Sequence, residues 1–299
     1  MKFRKIFFLC SLLTVNCSLL IVSCTTFPKI EGPVASLEAV SPQWKTVSVP
    51  GLEYFAGKVS RPHIQFHALR IDLTEPNLRI MAAPGAASSP SEANGWKTVS
   101  IKVSSFVRDN GLAAGINALP FDPVSGTEGE PRINVGIVIA SGVILSLPHK
   151  NYDALIFYKD GNAVIAAQSE MKDFDNIENA VGGFNRILEN GELVPRVLNL
   201  TVRHPRSAAG ISPDGKFLYL LVIDGRQIKS IGGTEAETAL LLKALGATEG
   251  INFDGGGSSS LVLRFPNGKI RIMNTPIHKM IPGRERAVAG CLGIMSNEQ

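Results

Sequence analysis

The apolar and polar positions of this chain predict many short strands joined by tight turns. Pairs of apolar segments flank Ser141-Gly142, Asp160-Gly161 and Asn190-Gly191, a pattern typical of β-hairpins. The segment 64–73 alternates between apolar and polar residues but changes phase at Ala68-Leu69. That change predicts either a bulge or a strand covered on both faces.

Two segments have helical periodicity. In the segment 98–110 the apolar residues fall on one face, and Gly111 follows as a stop signal. The second predicted helix is the segment 234–245, which ends before Gly246. Helices of this length need an apolar face to pack against a sheet or another helix.

A strand–helix–strand unit is predicted in the C-terminal third. The apolar run 218–223 ends in Asp224-Gly225, and the run 251–253 ends in Asp254-Gly255. Because the helix 234–245 carries the chain back, the two strands must run parallel. Both Asp-Gly pairs then lie at one sheet edge, where open α/β sheets bind ligands. The predicted fold is α+β, with a mixed, strongly twisted central β-sheet, hairpins, flanking helices and one βαβ crossover.

The N-terminal residues are typical of a secretory signal. Lys2, Arg4 and Lys5 precede a mainly apolar stretch, and the residues up to Ser23-Cys24 resemble a bacterial lipobox. This predicts a signal peptide over 1–23, a lipidated Cys24, a tether over 24–41 and one domain over 42–299, anchored by lipid to the cell envelope outside the cytoplasm. The alternative is a transmembrane anchor, but the stretch is short and interrupted by polar residues, whereas a spanning helix needs roughly 20 apolar residues.

Charge and cysteine content narrow the function further. The 299-residue chain has a formal net charge of +4, and removing the three basic side chains of residues 1–23 lowers it to +1. The basic character therefore belongs to the targeting segment and does not indicate a nucleic-acid partner. Outside the predicted signal and lipidation site only Cys291 remains, so no intramolecular disulfide is expected.

The candidate chemistry lies at the predicted sheet edge. Gly255-Gly256-Gly257 allows close approach of backbone N–H groups to a ligand, and Ser258 and Ser259 add hydroxyl donors, which suits an oxyanion or phosphate. Arg206 and Arg226 would supply bidentate charge. Ordinary turns are the alternative for both Asp-Gly pairs. Three glycines after a buried strand, however, waste chain entropy unless something occupies the space.

Other residues have more than one interpretation. Thr234 and Glu237 match a capping box, in which the glutamate binds a backbone N–H and does no chemistry; this structural role is favoured on the pattern alone. His204 and His278 are expected to be polar loop residues, since the histidines lack metal-ligand spacing. A serine esterase using Ser258 is a further alternative, but the sequence places no base for it.

Several segments together resemble the phosphodiester glycosidase family. They are His204-Pro205-Arg206-Ser207, Asp224-Gly225-Arg226, Gly233-Thr234-x-x-Glu237, the run from Asn252 to Ser260, Val181-Gly182-Gly183-Phe184, Asn274-x-Pro276 and Glu285-Arg286-x-Val288. Two departures stand out. The chain has Asn117-Ala118-Leu119-Pro120-Phe121 where the family has Asn-Gly-x-Phe-Phe, and Phe184 where the family has proline.

The resemblance implies hydrolysis of the bond between the anomeric carbon of a sugar and a phosphate oxygen, in phosphodiester-linked sugars of envelope or extracellular glycans. It makes Asp254, Glu237 and Asp224 the candidate catalytic residues. The candidate substrate- and phosphate-binding residues are Arg206, Arg226, Asn117, Gly256, Gly257, Ser258, Ser259 and Arg286.

The resemblance leaves two alternatives open. A divalent metal between Asp224 and Asp254 is one, although two carboxylates facing two arginines need no metal, and no cofactor is required. The other is a non-catalytic envelope lipoprotein that uses the same site to bind an anionic or phosphorylated glycan.

Overall fold

The computed structural model describes residues 37, 39–84 and 97–297. The predicted signal peptide, Cys24 and most of the predicted tether lie outside these residues. Within the described ranges, no helix is both long and apolar enough to span a bilayer. Cys291 is a free, buried thiol.

Short strands dominate the described part of the chain. They are β1 (Lys45–Thr46), β2 (Leu52–Val59), β3 (Ile64–Asp72), β4 (Leu78–Pro84), β5 (Lys97–Val99), β6 (Ala114–Asn117), β7 (Phe121–Asp122), β8 (Pro131–Asn134), β9 (Val138–Ala140), β10 (Val143–Ser146), β11 (Asp153–Tyr158), β12 (Ala163–Ala167), β13 (Ile177–Gly182), β14 (Asn185–Glu189), β15 (Glu192–Leu193), β16 (Arg206–Ile211), β17 (Phe217–Ile223), β18 (Glu249–Asn252), β19 (Leu261–Arg264), β20 (Ile270–Ile272), β21 (Ile277–His278), β22 (Ile281–Pro282) and β23 (Gly290–Ser296). Two α-helices accompany them, α1 (Val103–Asp109) and α2 (Glu235–Leu245).

The strands form one large sheet and several smaller ones. The eight-stranded sheet has the order β1-β2-β3-β17-β16-β18-β14-β15, and two five-stranded sheets have the orders β10-β9-β13-β11-β12 and β20-β19-β6-β23-β4. Two short sheets, β5-β8-β7 and β21-β22, complete the arrangement. An α+β fold rich in strands is thus confirmed.

The large sheet is buried on both faces, which explains the unbroken apolar run in β17. Even-numbered residues of β17 belong to an apolar cluster shared with the sheet built on β6, and odd-numbered residues belong to a cluster beneath α2. The six residues from Leu218 to Ile223 are all at most 4% exposed. A strand that is buried on both faces is apolar at successive positions and does not alternate with polar residues.

The neighbouring strand β3 follows the same rule. Ala68 belongs to the cluster beneath α2 and Leu69 to the cluster on the opposite face. The pairing of β3 with β2 and with β17 has no register shift, so the strand is covered on both faces and has no bulge at this point. The three predicted hairpins, β9–β10, β11–β12 and β14–β15, are also confirmed.

The helix predicted over 98–110 is shorter in the structure. Lys97–Val99 forms strand β5 and pairs with β8, while α1 begins only at Val103. Tertiary pairing decides this difference, because the hydroxyl of the β-branched Thr98 donates to Asn134 Oδ1 at 3.0 Å and to the Ala289 carbonyl at 3.1 Å. The second helix, α2, ends as predicted before Gly246, which adopts a left-handed φ of 115°.

The central sheet differs from the predicted mixed sheet, because every ladder between its named strands is antiparallel. Strand β16 lies between β17 and β18 and pairs antiparallel with both. The two strands joined through α2 therefore run in the same direction without being neighbours. Their C-terminal ends and the start of β16 meet at one edge of the sheet.

Candidate active site

A cavity of about 350 Å³ opens at this edge. Three kinds of group line it: two carboxylates, three guanidinium groups, and a polar and aromatic wall. The lining residues are Phe184, Asn185, His204, Pro205, Arg206, Arg226, Glu235, Asn252, Phe253, Asp254, Gly255, Gly256, Gly257 and Arg286. The structure thus brings together segments that are far apart in the sequence, since Phe184 and Arg286 lie at opposite ends of the region that forms the site.

Asp254 is the carboxylate at the centre of the predicted loop. Its backbone N–H donates to the Ala118 carbonyl at 2.8 Å, and its own carbonyl accepts from Asn117 Nδ2 at 2.6 Å. Surrounding protein atoms desolvate the carboxyl group and raise its pKa to about 6, while the Ser258 hydroxyl and the Arg286 charge oppose that rise. A carboxyl group that titrates this close to neutral pH in a cavity is a candidate general base.

Arg286 occupies the space above Gly257. A Cβ atom on Gly257 would lie 2.6 Å from Arg286 Nη2, so only glycine leaves room for the guanidinium group. Arg286 donates through Nε to His278 Nδ1 and through Nη1 to Ser258 Oγ, both at 3.2 Å. Burial and the charge of Arg226 lower the pKa of Arg286, while the nearby Asp254 raises it. The arginine still keeps its charge at neutral pH.

Arg226 occupies the space above Gly256 in the same way. A Cβ atom on Gly256, whose φ is 63°, would lie 3.1 Å from Arg226 Nη2. Arg226 itself has a left-handed φ of 57°, a conformation that costs an L-residue roughly 1–2 kcal/mol. Such strained residues cluster at functional sites. The guanidinium groups of two arginines therefore fill the space that the glycine run leaves open.

Arg226 and Arg286 differ from the third arginine of the cavity in their partners. Among the described residues, neither of them forms an ion pair with a carboxylate. Arg206 is 9% exposed and donates to the carbonyls of Gly233 and Val202, and it pairs with Glu235 at 3.6 Å. The cations available to a bound anion are thus Arg226 and Arg286, whereas Arg206 is largely occupied by its own protein contacts.

Asp224 reaches the predicted sheet edge, but its carboxyl group turns away from the cavity. It is 3% exposed, and its Oδ1 accepts from Thr275 N at 2.8 Å and from Asn274 Nδ2 at 3.2 Å. Its Oδ2 lies 3.7 Å from His67 Nε2. Asp224 is not among the cavity-lining residues, so this geometry favours a role in fixing the segment 274–275 over a catalytic role.

Glu237 also lies outside the cavity lining. The capping box predicted from the sequence is present, with Thr234 N donating to Glu237 Oε2 at 2.9 Å. Arg203 donates to both carboxylate oxygens, and its Nη1 is 2.6 Å from Oε2. Glu237 is 4% exposed and bonded through both oxygens, so the structural interpretation describes it better than the catalytic one.

Asn117, Ser258 and Ser259 are buried residues that support the segment carrying Asp254. Asn117 is fully buried, and its Oδ1 accepts from Ser207 Oγ at 2.7 Å and from Ser260 N at 3.1 Å. Together with its bond to the Asp254 carbonyl, this makes Asn117 a support of the site that does not line the cavity. Ser258 is 1% exposed and accepts from Arg286; no histidine is its hydrogen-bond partner among the described residues, as the esterase alternative would require. Ser259 is equally buried, at 1%.

A metal site needs several suitable ligands close together. Among the described residues, no group of three or more His, Cys, Asp or Glu side chains is arranged to hold a metal ion. Asp224 and Asp254 in particular do not belong to such a group.

Several residues of the cavity wall were missed by the sequence reasoning, among them Glu235, Asn252, Phe184 and His204, for which the sequence predicts only a polar loop residue. Glu235 is the first residue of α2 and pairs with Arg196 at 3.4 Å as well as with Arg206. Asn252 is two residues before Asp254, and the period of two in a strand could have placed both on one face. Phe184 comes to the site because its N–H donates to the Asn252 carbonyl at 2.8 Å, a long-range contact that no local pattern predicts.

Comparison with known proteins agrees with this architecture. A family model for phosphodiester glycosidases matches residues 110–295, which is more than half of the chain. The chain therefore belongs to the phosphodiester glycosidase family, and membership of this family supports a glycosidase-type hydrolase.

Two solved structures and one curated relative are similar to parts of the chain. The catalytic domain of zebrafish N-acetylglucosamine-1-phosphodiester α-N-acetylglucosaminidase, auto-inhibited by its pro-peptide, superposes with a TM-score of 0.61 at 20% identity, covering 86% of this chain and 89% of that one. A hypothetical protein from Synechocystis gives a TM-score of 0.57 at 15% identity, covering 86% and 64%. At these identities the likeness shows the fold alone.

The curated relative is the SPbeta prophage-derived protein YomE of Bacillus subtilis (strain 168). It is 31% identical over 178 residues, which is 54% of this chain and 25% of the relative. This chain thus spans about a quarter of the length of that protein.

Proposed function

We propose that this chain cleaves the bond between the anomeric carbon of a sugar and a phosphate oxygen in sugar-1-phosphodiesters. The observation that carries the proposal is the cavity in which Asp254, with a pKa of about 6, lies beside Arg226 and Arg286. A phosphodiester supplies the single negative charge that the two guanidinium groups, which form no ion pair with a carboxylate among the described residues, would bind.

The reaction follows from these groups. Asp254 takes a proton from a water molecule, whose oxygen attacks the anomeric carbon. The bond between that carbon and the phosphate oxygen breaks, and its electron pair leaves with the phosphate. The product is a phosphate monoester with a second pKa near ~6, so it is a good leaving group and needs little protonation.

The two arginines are proposed to lower the activation barrier more than protonation of the leaving group does, because they neutralise its charge. The negative charge on the phosphate grows as the bond breaks, and Arg226 and Arg286 lie on the loop that would hold it. Preorganised cations in a partly desolvated site stabilise developing charge without reorganising during the reaction. Because the protein already holds Arg286 through His278 and Ser258, little conformational freedom remains to be lost.

The natural location would be the cell envelope. The basic and apolar N-terminus followed by Ser23-Cys24 supports export and lipid attachment through Cys24. A tethered hydrolase at that position would meet phosphodiester-linked sugars of envelope or extracellular glycans. Labelling of the full chain with a radioactive fatty acid, compared with Cys24→Ser, tests this part, and equal labelling of both proteins would contradict it.

The central experiment measures sugar release. The substrates are the methyl phosphodiesters of glucose, mannose, galactose and N-acetylglucosamine, each linked at the anomeric carbon. We expect turnover of at least one, a loss of about 10³-fold in Asp254→Asn and of about 10²-fold in Arg226→Ala. Arg271→Ala is the matched control, since Arg271 is exposed and contacts only the face of Phe265 among aromatic rings.

Two outcomes would contradict the proposal. Full activity in both Asp254→Asn and Arg226→Ala would remove the site from the reaction. Calorimetric binding of an intact diester without any turnover would favour the alternative, a lipoprotein that binds an anionic glycan.

A further inference from the structure

Three aromatic rings stand in a row that begins in the cavity wall and leads away from it. Phe184 lines the cavity, Tyr152 packs edge-to-face against it with ring centroids 5.3 Å apart, and His149 follows 4.2 Å from Tyr152. We call His149, Tyr152 and Phe184 the aromatic row. All three side chains are partly exposed.

The aromatic row is not part of the core. The buried apolar clusters of the described residues, and the partly buried residues that pack against them, include none of its three members. Aromatic rings that remain partly exposed lose hydrophobic stabilisation that burial would give.

The aromatic row is connected through backbone hydrogen bonds to the end of β18, which leads into Asp254. Phe184 N donates to the Asn252 carbonyl at 2.8 Å, and Asp153 N donates to the Phe184 carbonyl at 3.2 Å. Gly183 N returns a bond to the Asp153 carbonyl at 2.9 Å. Asn252 and Asp254 belong to one strand end, so the position of Tyr152 is fixed relative to the reacting group.

A buried glutamine holds the outer end of the row. Gln168 is 1% exposed, and its Oε1 accepts from His149 N at 2.8 Å and from Ile137 N at 2.9 Å. Its Nε2 donates to the Asp153 carbonyl at 2.8 Å. Gln168 thus fixes the loop that carries His149 and Tyr152 before any ligand arrives, which lowers the entropic cost of binding.

We infer that the aromatic row is a carbohydrate-binding platform that holds the sugars adjacent to the one at the phosphodiester. This inference rests on the proposed function, and it names the substrate as an oligosaccharide or longer glycan. The apolar C–H faces of a sugar stack on aromatic rings, while the Tyr152 hydroxyl and the His149 imidazole offer hydrogen bonds to its hydroxyl groups. The row carries no carboxylate or guanidinium group, as suits a neutral sugar chain beside a charged cavity.

The test measures binding as a function of glycan length. Full-length protein with Asp254→Asn, which prevents turnover, is titrated calorimetrically with methyl phosphodiesters of mono-, di-, tri- and tetrasaccharides of glucose, mannose, galactose and N-acetylglucosamine. For the glycans of at least one of these four sugars, we expect the affinity to rise about ten-fold from the monosaccharide to the trisaccharide. An aromatic contact increases binding affinity by a few-fold to about ten-fold.

Two variants of Tyr152 test whether the rise in affinity with glycan length comes from the aromatic row. Tyr152→Ala should remove most of the rise with length, and Tyr152→Phe should keep the stacking part of it. Tyr158→Ala is the matched control, because Tyr158 is a partly exposed tyrosine at the C-terminal end of β11, the strand that begins directly after Tyr152, and should leave the rise unchanged. Thermal unfolding of each variant confirms that the fold is retained.

The outcomes separate this inference from the proposed function. Equal affinity for all lengths in every series, or an undiminished rise in Tyr152→Ala, would overturn the platform. If binding depends on length but wild-type protein releases no sugar from any substrate, the platform stands and the hydrolase proposal fails. If wild-type protein hydrolyses the monosaccharide diesters and length has no effect on binding, the hydrolase stands alone.

Discussion

Asp224 and Asp254 start from the same local pattern, a buried strand followed by Asp-Gly, and reach the same sheet edge. The Asp224 carboxyl group accepts hydrogen bonds from Thr275 and Asn274 and is 3% exposed. The Asp254 carboxyl group lines a cavity with Arg226 and Arg286, which form no ion pair with a carboxylate in the described part of the chain, and burial raises its pKa to about 6. The difference arises because distant segments of the chain surround the two carboxyl groups differently. Asp224 is held in a structural role, whereas Asp254 is the carboxylate proposed for the chemistry.

The largest expected effect comes from exchanging the two aspartates for asparagine. Asp254→Asn should reduce kcat/KM by about 10³-fold, since it removes the proposed base. Asp224→Asn should instead lower the free energy of unfolding by about 1–3 kcal/mol, because a buried acceptor loses its charge and part of its hydrogen bonding. Steady-state kinetics and urea unfolding measure both quantities. A stable Asp224→Asn protein without activity would show that Asp224 takes part in the reaction together with Asp254.

A smaller effect on activity is expected from Gly257→Ala. The new Cβ atom would lie 2.6 Å from Arg286 Nη2, so the flexible guanidinium group must move out of position. Loss of one charge-stabilising group costs about 10²-fold in kcat, while stability should change little. In a double-mutant cycle, Gly257→Ala should add no further loss to Arg286→Ala. Additive losses would mean that the glycine acts on something other than Arg286.

The next comparison is between two glutamates of α2. Glu237→Gln removes the charge from a buried pair with Arg203 while the amide oxygen can keep the capping box, and we expect the free energy of unfolding to fall by about 3 kcal/mol because the buried Arg203 loses its counter-charge. Glu235→Gln weakens a pair with the exposed Arg196 and a longer contact of 3.6 Å with Arg206, whose guanidinium group keeps its bonds to two carbonyls, and should cost about 1 kcal/mol. At low temperature, where Glu237→Gln stays folded, its kcat should lie within a few-fold of wild type. A loss near that of Asp254→Asn would restore Glu237 as a catalytic residue.

The pH dependence gives the smallest effect and reports on Asp254 directly. The proposed base must be ionised, so kcat/KM should rise with pH through about 6. Burial raises the pKa of Asp254 in the folded protein above its ordinary value near ~4, so ionisation costs stability. Wild-type stability should therefore fall relative to Asp254→Asn as pH rises from about 4 to about 6. The same stability difference at pH 4 and pH 7 would contradict the assigned environment.

Local pattern was sufficient for several elements. The three hairpins, helix α2 with its capping box, and the buried strand β17 follow from turn residues, capping residues and apolar runs, all of which act within a few residues of the chain. The placement of Asp224, Asp254 and the glycine run at one edge also agrees with the predicted direction of β17 and β18. Helix α1 was predicted too long because the pairing of Thr98 with β8 depends on residues more than thirty positions away.

The roles of the site residues depended on tertiary contacts. Arg206, Arg226 and Arg286 are equal as sequence letters, but only Arg206 is held by Glu235 and by the Gly233 and Val202 carbonyls. The glycine run was expected to leave room for a ligand. In the structure, guanidinium groups occupy the space that Cβ atoms at Gly256 and Gly257 would fill, so under the proposed function the glycines would act on the anion through the arginines.

The sequence by itself determined the family, the strand-rich α+β fold and the loop that carries Asp254, because these depend on short-range patterns that repeat within a family. Only the tertiary structure decided that Asp224 and Glu237 are buried and held by hydrogen bonds, that Glu235 and Phe184 line the cavity, and that Tyr152 and His149 stack in a row beside Phe184. The physical reason is that burial, charge pairing and desolvation are properties of the space around a side chain. That space is formed by segments from distant parts of the chain.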